Sequence, residues 1–191
     1  MTWIEPSLPT AFSHTVAAFG IAACFYKPEI PKRVWLTGAA CSVAPDLDVI
    51  GFRFGIQYGD FLGHRGLTHS IPFAAAATGA VVALIFRNGV PGLSRRSLWL
   101  YLFLAMASHG LLDALTNGGL GIALLAPFDN TRYFFPVTPI QVSPIGIKSF
   151  FRGGGLAVLA SEVPWVWLPS LLLAGIALGW KRVRRSTPAA A

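Results

Sequence analysis

Four short motifs hold most of the side chains in this sequence that could do chemistry: Ser13-His14, Pro45-Asp46-Leu47-Asp48, Gly63-His64-Arg65-Gly66-Leu67-Thr68-His69-Ser70, and Ser108-His109 with Asp113. Together they contain all four histidines and three of the eight acids. Each motif begins, ends or interrupts an apolar run, where polar groups need partners. Imidazole and carboxylate without thiolate suit Zn, Mn or Fe better than Mg. His14, Asp46, Asp48, His64, His69, His109 and Asp113 therefore read as ligands of one metal site. Seven candidates exceed what a single catalytic zinc with an open position needs, and fit two ions about 3.5–4 Å apart.

Each motif also has an ordinary explanation. His109 and Asp113, four apart, share one helix face and could simply be a hydrogen-bonded pair between helices. Asp46 and Asp48 could be a solvated turn, but two carboxylates flanked by Ala44, Pro45, Val49 and Ile50 repel each other without a cation. His64 and His69 are five apart and do not share a helix face; a break at Gly66 would let His64 approach from a loop while His69 begins the next helix. His14 alone could be a satisfied interfacial residue. The metal reading rests on all four motifs together. Arg65 stays charged and can bind an anion bidentately; Thr68 and Ser70 fit capping or support of the ligands.

Those motifs need a scaffold, and composition says which. The chain of 191 residues is 54% hydrophobic and only 12% charged, against about 25% charged in ordinary soluble domains. The expected fold is an all-α polytopic membrane bundle with five membrane-embedded segments: 11–26, 34–43, 70–86, 97–115 and 164–180. The first two are short, and whether they span fully is open. Residues 46–69 and 121–163 are broken by glycine and proline and read as surface pieces and a cap; Phe52, Phe54, Tyr58 and Phe61 suit an interfacial belt. The expected organisation is one domain over 1–185 and a disordered tail over 186–191. Cys24 and Cys41 lie within apolar segments and read as small buried apolar side chains. No basic residue precedes Lys27, so the first segment does not read as a secretory signal.

The net charge of +7 would suggest nucleic acid only if it clustered on one exposed face. Ten of the fifteen basic residues instead lie at 27–33, 87–96 and 181–185. The positive-inside tendency makes these regions cytoplasmic, with the N-terminus outside and the C-terminus inside. All seven ligands then fall near the extracytoplasmic face of an inner membrane.

In order and spacing the four motifs resemble those of the YdjM-type (DUF457) family of predicted membrane-bound metal-dependent hydrolases, over roughly residues 12–117. A more distant similarity links them to the helical zinc-dependent phospholipase C and P1 nuclease group. The resemblance implies clustered zinc ions and phosphoester cleavage. In that distant group a backbone amine is also a ligand, and nothing in the sequence shows that Met1 takes this part.

The expected function is thus hydrolysis of a phosphoester, on a lipid or lipid-linked substrate, using metal-activated water. Arg65 would stabilise developing charge, and Asp48 or Asp113 would act as general base. A transition-metal transporter is the main rival, since carboxylates and imidazoles among spans also line ion paths. A metal-stabilised structural or binding protein is the third reading. Polar groups gathered at one end of each helix favour the enzyme over a transport path.

Overall fold

The computed structural model describes residues 7–8, 10–144, 150 and 154–186. Residues 187–191 of the expected tail, together with Met1, Lys148 and Arg152, lie outside the described residues, and Ser186 is still helical. The architecture is all-helical apart from a two-residue pairing of Ser7–Leu8 with Ser143–Pro144.

Helix α1 (Ala11–Phe25) starts at Thr10, whose hydroxyl accepts from the Ser13 amide at 3.3 Å. Helix α2 (Lys32–Val43) runs directly into a 3-10 stretch, Ala44–Phe54, closed by Gly55. A 3-10 turn, Leu67–His69, precedes α3 (Ile71–Leu84), which Ser70 caps by accepting from the Phe73 amide. Helix α4 (Arg95–Asp113) is capped by Ser94. Beyond a glycine- and proline-rich cap come α5 (Gly155–Glu162), a π-helical turn (Val163–Trp167) and α6 (Leu168–Ser186).

The last element is longer than the expected 164–180. Pro164 was expected to start the helix, but it sits inside the wide turn. Proline lacks an N–H and crowds the carbonyl four residues back, and opening the turn from α to π relieves both. The helix therefore continues on both sides of it.

α1 packs against α2, α4 and α6, and α3 packs against α4. The core is built of small residues at these crossings, Ala18, Ala22, Ala105 and Ala107, around Val34, Leu98, Tyr101 and Leu102. Small side chains let backbones approach where lipid provides no hydrophobic drive for helix association. Consecutive rods alternate in direction, so the start of α1, the end of α2, the start of α3 and the end of α4 meet at one end of the bundle.

Of the five expected membrane-embedded segments, the last lies in Gly155–Arg184, which among the described residues is the one helix long and apolar enough to cross a membrane. Only 17% of its most apolar window is buried, and Leu171, Leu172, Ile176 and Val183 face outward. α1 and α3 are apolar, but their 15 and 14 residues reach only ~22 Å at 1.5 Å per residue, short of a hydrocarbon core of about 30 Å. α4 has 19 residues, but Arg95, Arg96, His109 and Asp113 dilute its hydropathy.

The interfacial expectation is met in part: Phe54 and Phe61 are exposed, whereas Tyr58 turns inward with its hydroxyl buried. Cys41 is buried as expected, and Cys24 is exposed, contrary to it.

Candidate metal centre

At the shared end of the bundle the four motifs meet. His69, at the close of its 3-10 turn, lies against α4 because Gly110 has no side chain; a Cβ there would sit 2.4 Å from the His69 carbonyl oxygen. One turn of α4 then presents His109 and Asp113 together, Nε2 to Oδ2 3.7 Å. The 3-10 stretch after α2 brings Asp46 to within 3.0 Å of His109 Nε2.

The imidazole tautomers follow from their hydrogen bonds. His109 Nδ1 donates to the Ser42 carbonyl at 2.7 Å, which turns its Nε2 lone pair inward. His69 Nδ1 lies 3.2 Å from Asp48 Oδ2 and donates to it, leaving Nε2 to face the same centre. The two Nε2 atoms stand 3.1 Å apart. Asp46 Oδ1 and Asp113 Oδ2 lie 3.5 and 3.4 Å from His69 Nε2.

These separations of 3.0–3.7 Å match the ~3.3 Å expected between neighbouring ligand atoms at tetrahedral angles about zinc, given bonds of about 2.0–2.1 Å. Asp46, His69, His109 and Asp113 thus form a group able to hold a metal ion. The orphaned atoms say the same. Asp113 is fully buried with the Arg65 guanidinium as its charge partner at 3.5 Å, and neither carboxylate oxygen has a hydrogen bond of good geometry, so lone pairs remain that a metal ion could use.

Asp48, His64 and His69 form a second group that shares His69. Its distances are of another kind. Asp48 Oδ1 lies 2.7 Å from His64 Nδ1, and Asp48 Oδ2 accepts from the Thr68 hydroxyl at 2.7 Å. Those are hydrogen-bond lengths. Burial pushes the Asp48 carboxyl up, but hydrogen bonds from His64 and His69 more than offset this and hold it at about 2. Asp46 likewise sits well below the usual carboxylate range: burial opposes this, and His109 outweighs it. For His69, burial pushes the imidazole down, while Asp113, Asp46 and Asp48 raise it well above its ordinary value.

His14 joins the cluster from the side. Its ring stacks on His109 at 3.8 Å, and its Nε2 is 3.4 Å from Asp113 Oδ1, the oxygen turned away from His69. It belongs to neither four- nor three-residue group, although both of its ring nitrogens are buried without hydrogen bonds.

Arg65 lies behind the centre. Fully buried and at a positive φ of 63°, it donates to the Gly118 carbonyl at 2.6 Å and the Thr116 hydroxyl at 3.0 Å, and its Nε is 3.5 Å from Asp113 Oδ2. Gly119 leaves it room: a Cβ there would meet its Nη1 at 2.7 Å. The guanidinium is thus turned toward Asp113, Thr116 and Gly118.

Sequence reasoning missed two supports. Glu162, buried, accepts from the Thr10 amide (2.6 Å), the Thr10 hydroxyl (2.7 Å) and the Ser13 hydroxyl (2.6 Å), fixing the start of α1 beside His14. Its signal was an acid among Ala and Val in an apolar run. Arg132 donates to the His64, Gly121, Tyr58 and Asp60 carbonyls and so ties the cap to the His64 loop.

The mouth of the site is at Asp46, whose side chain is 16% exposed; that of Asp48 is 2% exposed. Around the same end Leu47, Ile50, Phe54, Phe61, Leu62 and Phe128 project outward. Apolar side chains about a polar mouth are an interfacial arrangement.

An apolar helical bundle with buried imidazoles and carboxylates gathered at one end defines a membrane protein with a cluster able to bind metal. The chain belongs to the YdjM family: residues 10–186 match the family described as YdjM inner membrane protein. It is 38% identical over 175 residues to "Inner membrane protein YbcI" of Escherichia coli (strain K12), covering 92% of this chain and 99% of that relative. No solved structure matches it.

Proposed function

We propose that this inner membrane protein is a metal-dependent hydrolase acting on a phosphoester of a lipid or lipid-linked substrate. The observation that carries the reading is the buried group Asp46, His69, His109 and Asp113, with inward Nε2 lone pairs and an Asp113 carboxylate that has no hydrogen bond of good geometry. A divalent transition ion, zinc first and manganese or iron next, would be held there and would supply Lewis acidity and a water made nucleophilic near neutral pH.

The remaining residues have distinct parts. Asp48 orients His69 through Nδ1 and holds His64 in the tautomer whose Nε2, buried and without a hydrogen-bond partner, can accept a proton. His64 with Asp48 behind it is therefore the proposed general base, in place of Asp48 or Asp113 acting directly. Arg65 holds Asp113 in place and keeps its charge balanced. The apolar rim about Asp46 favours a substrate presented from the bilayer.

The hydrogen-bond lengths around Asp48 favour one ion over two. Elemental analysis of protein purified without chelator should give about one equivalent; two equivalents would restore the binuclear reading with Asp48, His64 and His69 as second ligands. Metal-replete protein assayed against phospholipids and polyprenyl phosphates should hydrolyse at least one class. If every phosphoester is inert while liposomes accumulate the ion, transport replaces hydrolysis. Metal bound with neither activity leaves a structural or binding role.

The proposed orientation puts the N-terminus and the metal centre outside and the basic ends of the rods in the cytoplasm. Gln57→Cys, in a variant lacking Cys24 and Cys41, should then be labelled by an impermeant thiol reagent from outside the inner membrane. Labelling only after lysis would reverse the assignment.

A further inference from the structure

At the end of the bundle away from the metal ligands, the end of α1, the first turn of α4 and the end of α6 enclose a cavity of about 580 Å³. Three cationic residues line it, Lys27, Lys181 and Arg184, beside an apolar wall that includes Phe25 and Leu93. None of the lining residues is acidic; Glu29 adjoins it, packed against Gly92.

The three cations are not equivalent. Lys181 donates to the carbonyls of Ala23, Cys24 and Tyr26 at 2.7–2.9 Å, so its ammonium is fixed and contributes field more than hydrogen bonds. The Arg184 guanidinium lies over the Trp180 ring, 5.0 Å from its centroid. Stacking leaves the edge of a guanidinium, where its N–H groups are, available to an anion. Lys27 is exposed at the rim. Such a cavity combines positive charge with an apolar wall, and it lies at the end of an apolar bundle in a family of inner membrane proteins.

We propose that this cavity is a lipid site that seats the phosphate headgroup of an anionic phospholipid between Lys27 and Arg184, with Lys181 setting the potential and the upper acyl chain lying along Phe25 and Leu93. A free inorganic anion would gain the charge but not the apolar wall, and a zwitterionic phospholipid would gain the wall but bring its own cation. The site is independent of the hydrolase reading, because it uses no residue of the metal centre.

The test is native mass spectrometry on the full-length, delipidated protein titrated with phosphatidylglycerol or with phosphatidylcholine of identical chains. The wild type should prefer phosphatidylglycerol, and Lys27→Gln with Arg184→Gln should weaken that lipid by roughly tenfold or more, as expected for two basic residues at a headgroup. Lys32→Gln with Arg87→Gln removes the same charge from exposed positions at the same end of the bundle and should leave binding within about twofold. A thermal midpoint equal to wild type in both pairs shows that the fold is intact. Equal binding of the two lipids, or equal loss in the two double variants, would overturn the proposal. Displacement of phosphatidylglycerol by millimolar inorganic phosphate would also overturn it, by making the ligand a free anion.

Discussion

The rod formed by α5 and α6 is fastened to α1 at both ends by a single ionisable side chain, and the two fastenings differ in kind. At the metal end Glu162 accepts from the Thr10 amide and from the Thr10 and Ser13 hydroxyls, fully buried. At the basic end Lys181 donates to the last carbonyls of α1 where solvent reaches it. Both place the sign of charge that the α1 dipole favours, an acid at its start and a base at its end. Only the first is shut away from water and joined through Ser13 to Trp167, which donates from Nε1 at 2.7 Å. At one end polar groups depend on one another; at the other, water can replace each of them.

That contrast ranks the effects of substitution. His69→Ala should have the largest, because His69 alone belongs to both ligand groups: metal affinity should fall by more than about 100-fold and hydrolysis should vanish. Retention of near-stoichiometric metal would place the ion elsewhere. Glu162→Leu should come next, costing about 3 kcal/mol of stability through three donors left buried without an acceptor. Its metal content should drop as the start of α1 and His14 shift. A thermal midpoint unchanged from wild type would show that the two fastenings do not differ after all.

Asp48→Asn follows. The amide cannot accept from His64, His69 and Thr68 as the carboxylate does, so the tautomers are no longer fixed and metal affinity should fall by about 10–100-fold. Loss of one of two bound equivalents, rather than weaker binding of one, would instead identify Asp48 as a ligand. The same residues give a pH dependence. Without metal His69 is held protonated well above the ordinary imidazole value, so the ion must displace that proton. Apparent affinity should rise with pH until it passes that raised value, while Asp48, at about 2, stays ionised throughout. Calorimetry in two buffers of different ionisation enthalpy should show proton release near neutrality.

That the four motifs come together at one end was legible in the sequence, because each sits beside a local signal such as Pro45, Gly66 or the four-residue spacing of His109 and Asp113. Bounds of α1 to α4 fell within about two residues for the same reason. What was not legible depends on long-range packing. Glu162 meets Thr10 across 152 residues, and no periodicity announces that pair. Arg65 reads as an anion binder from its type alone; the chain just after α4, through Thr116 and Gly118, turns it inward. Which of the five segments cross fully was not legible either, because apolar composition does not give length: α1 and α3 stop after 15 and 14 residues.

The smallest expected effect tests the solvent-exposed fastening. In Lys181→Gln the three α1 carbonyls lose a charged donor, but they lie at a helix end near the basic cavity, where water can replace it. A cation at a helix C-terminus contributes about 0.3–1 kcal/mol when exposed, and the glutamine amide can still reach one carbonyl. Stability should therefore fall by no more than about 1 kcal/mol, roughly a third of the Glu162→Leu effect. Metal content should not change, because nothing at this end touches His14, His69, His109 or the acids. Adding salt should shrink the Lys181→Gln effect, since exposed charge is screened, and leave the Glu162→Leu effect nearly as it is. Equal losses with equal salt dependence would mean that the basic end is as closed to water as the metal end.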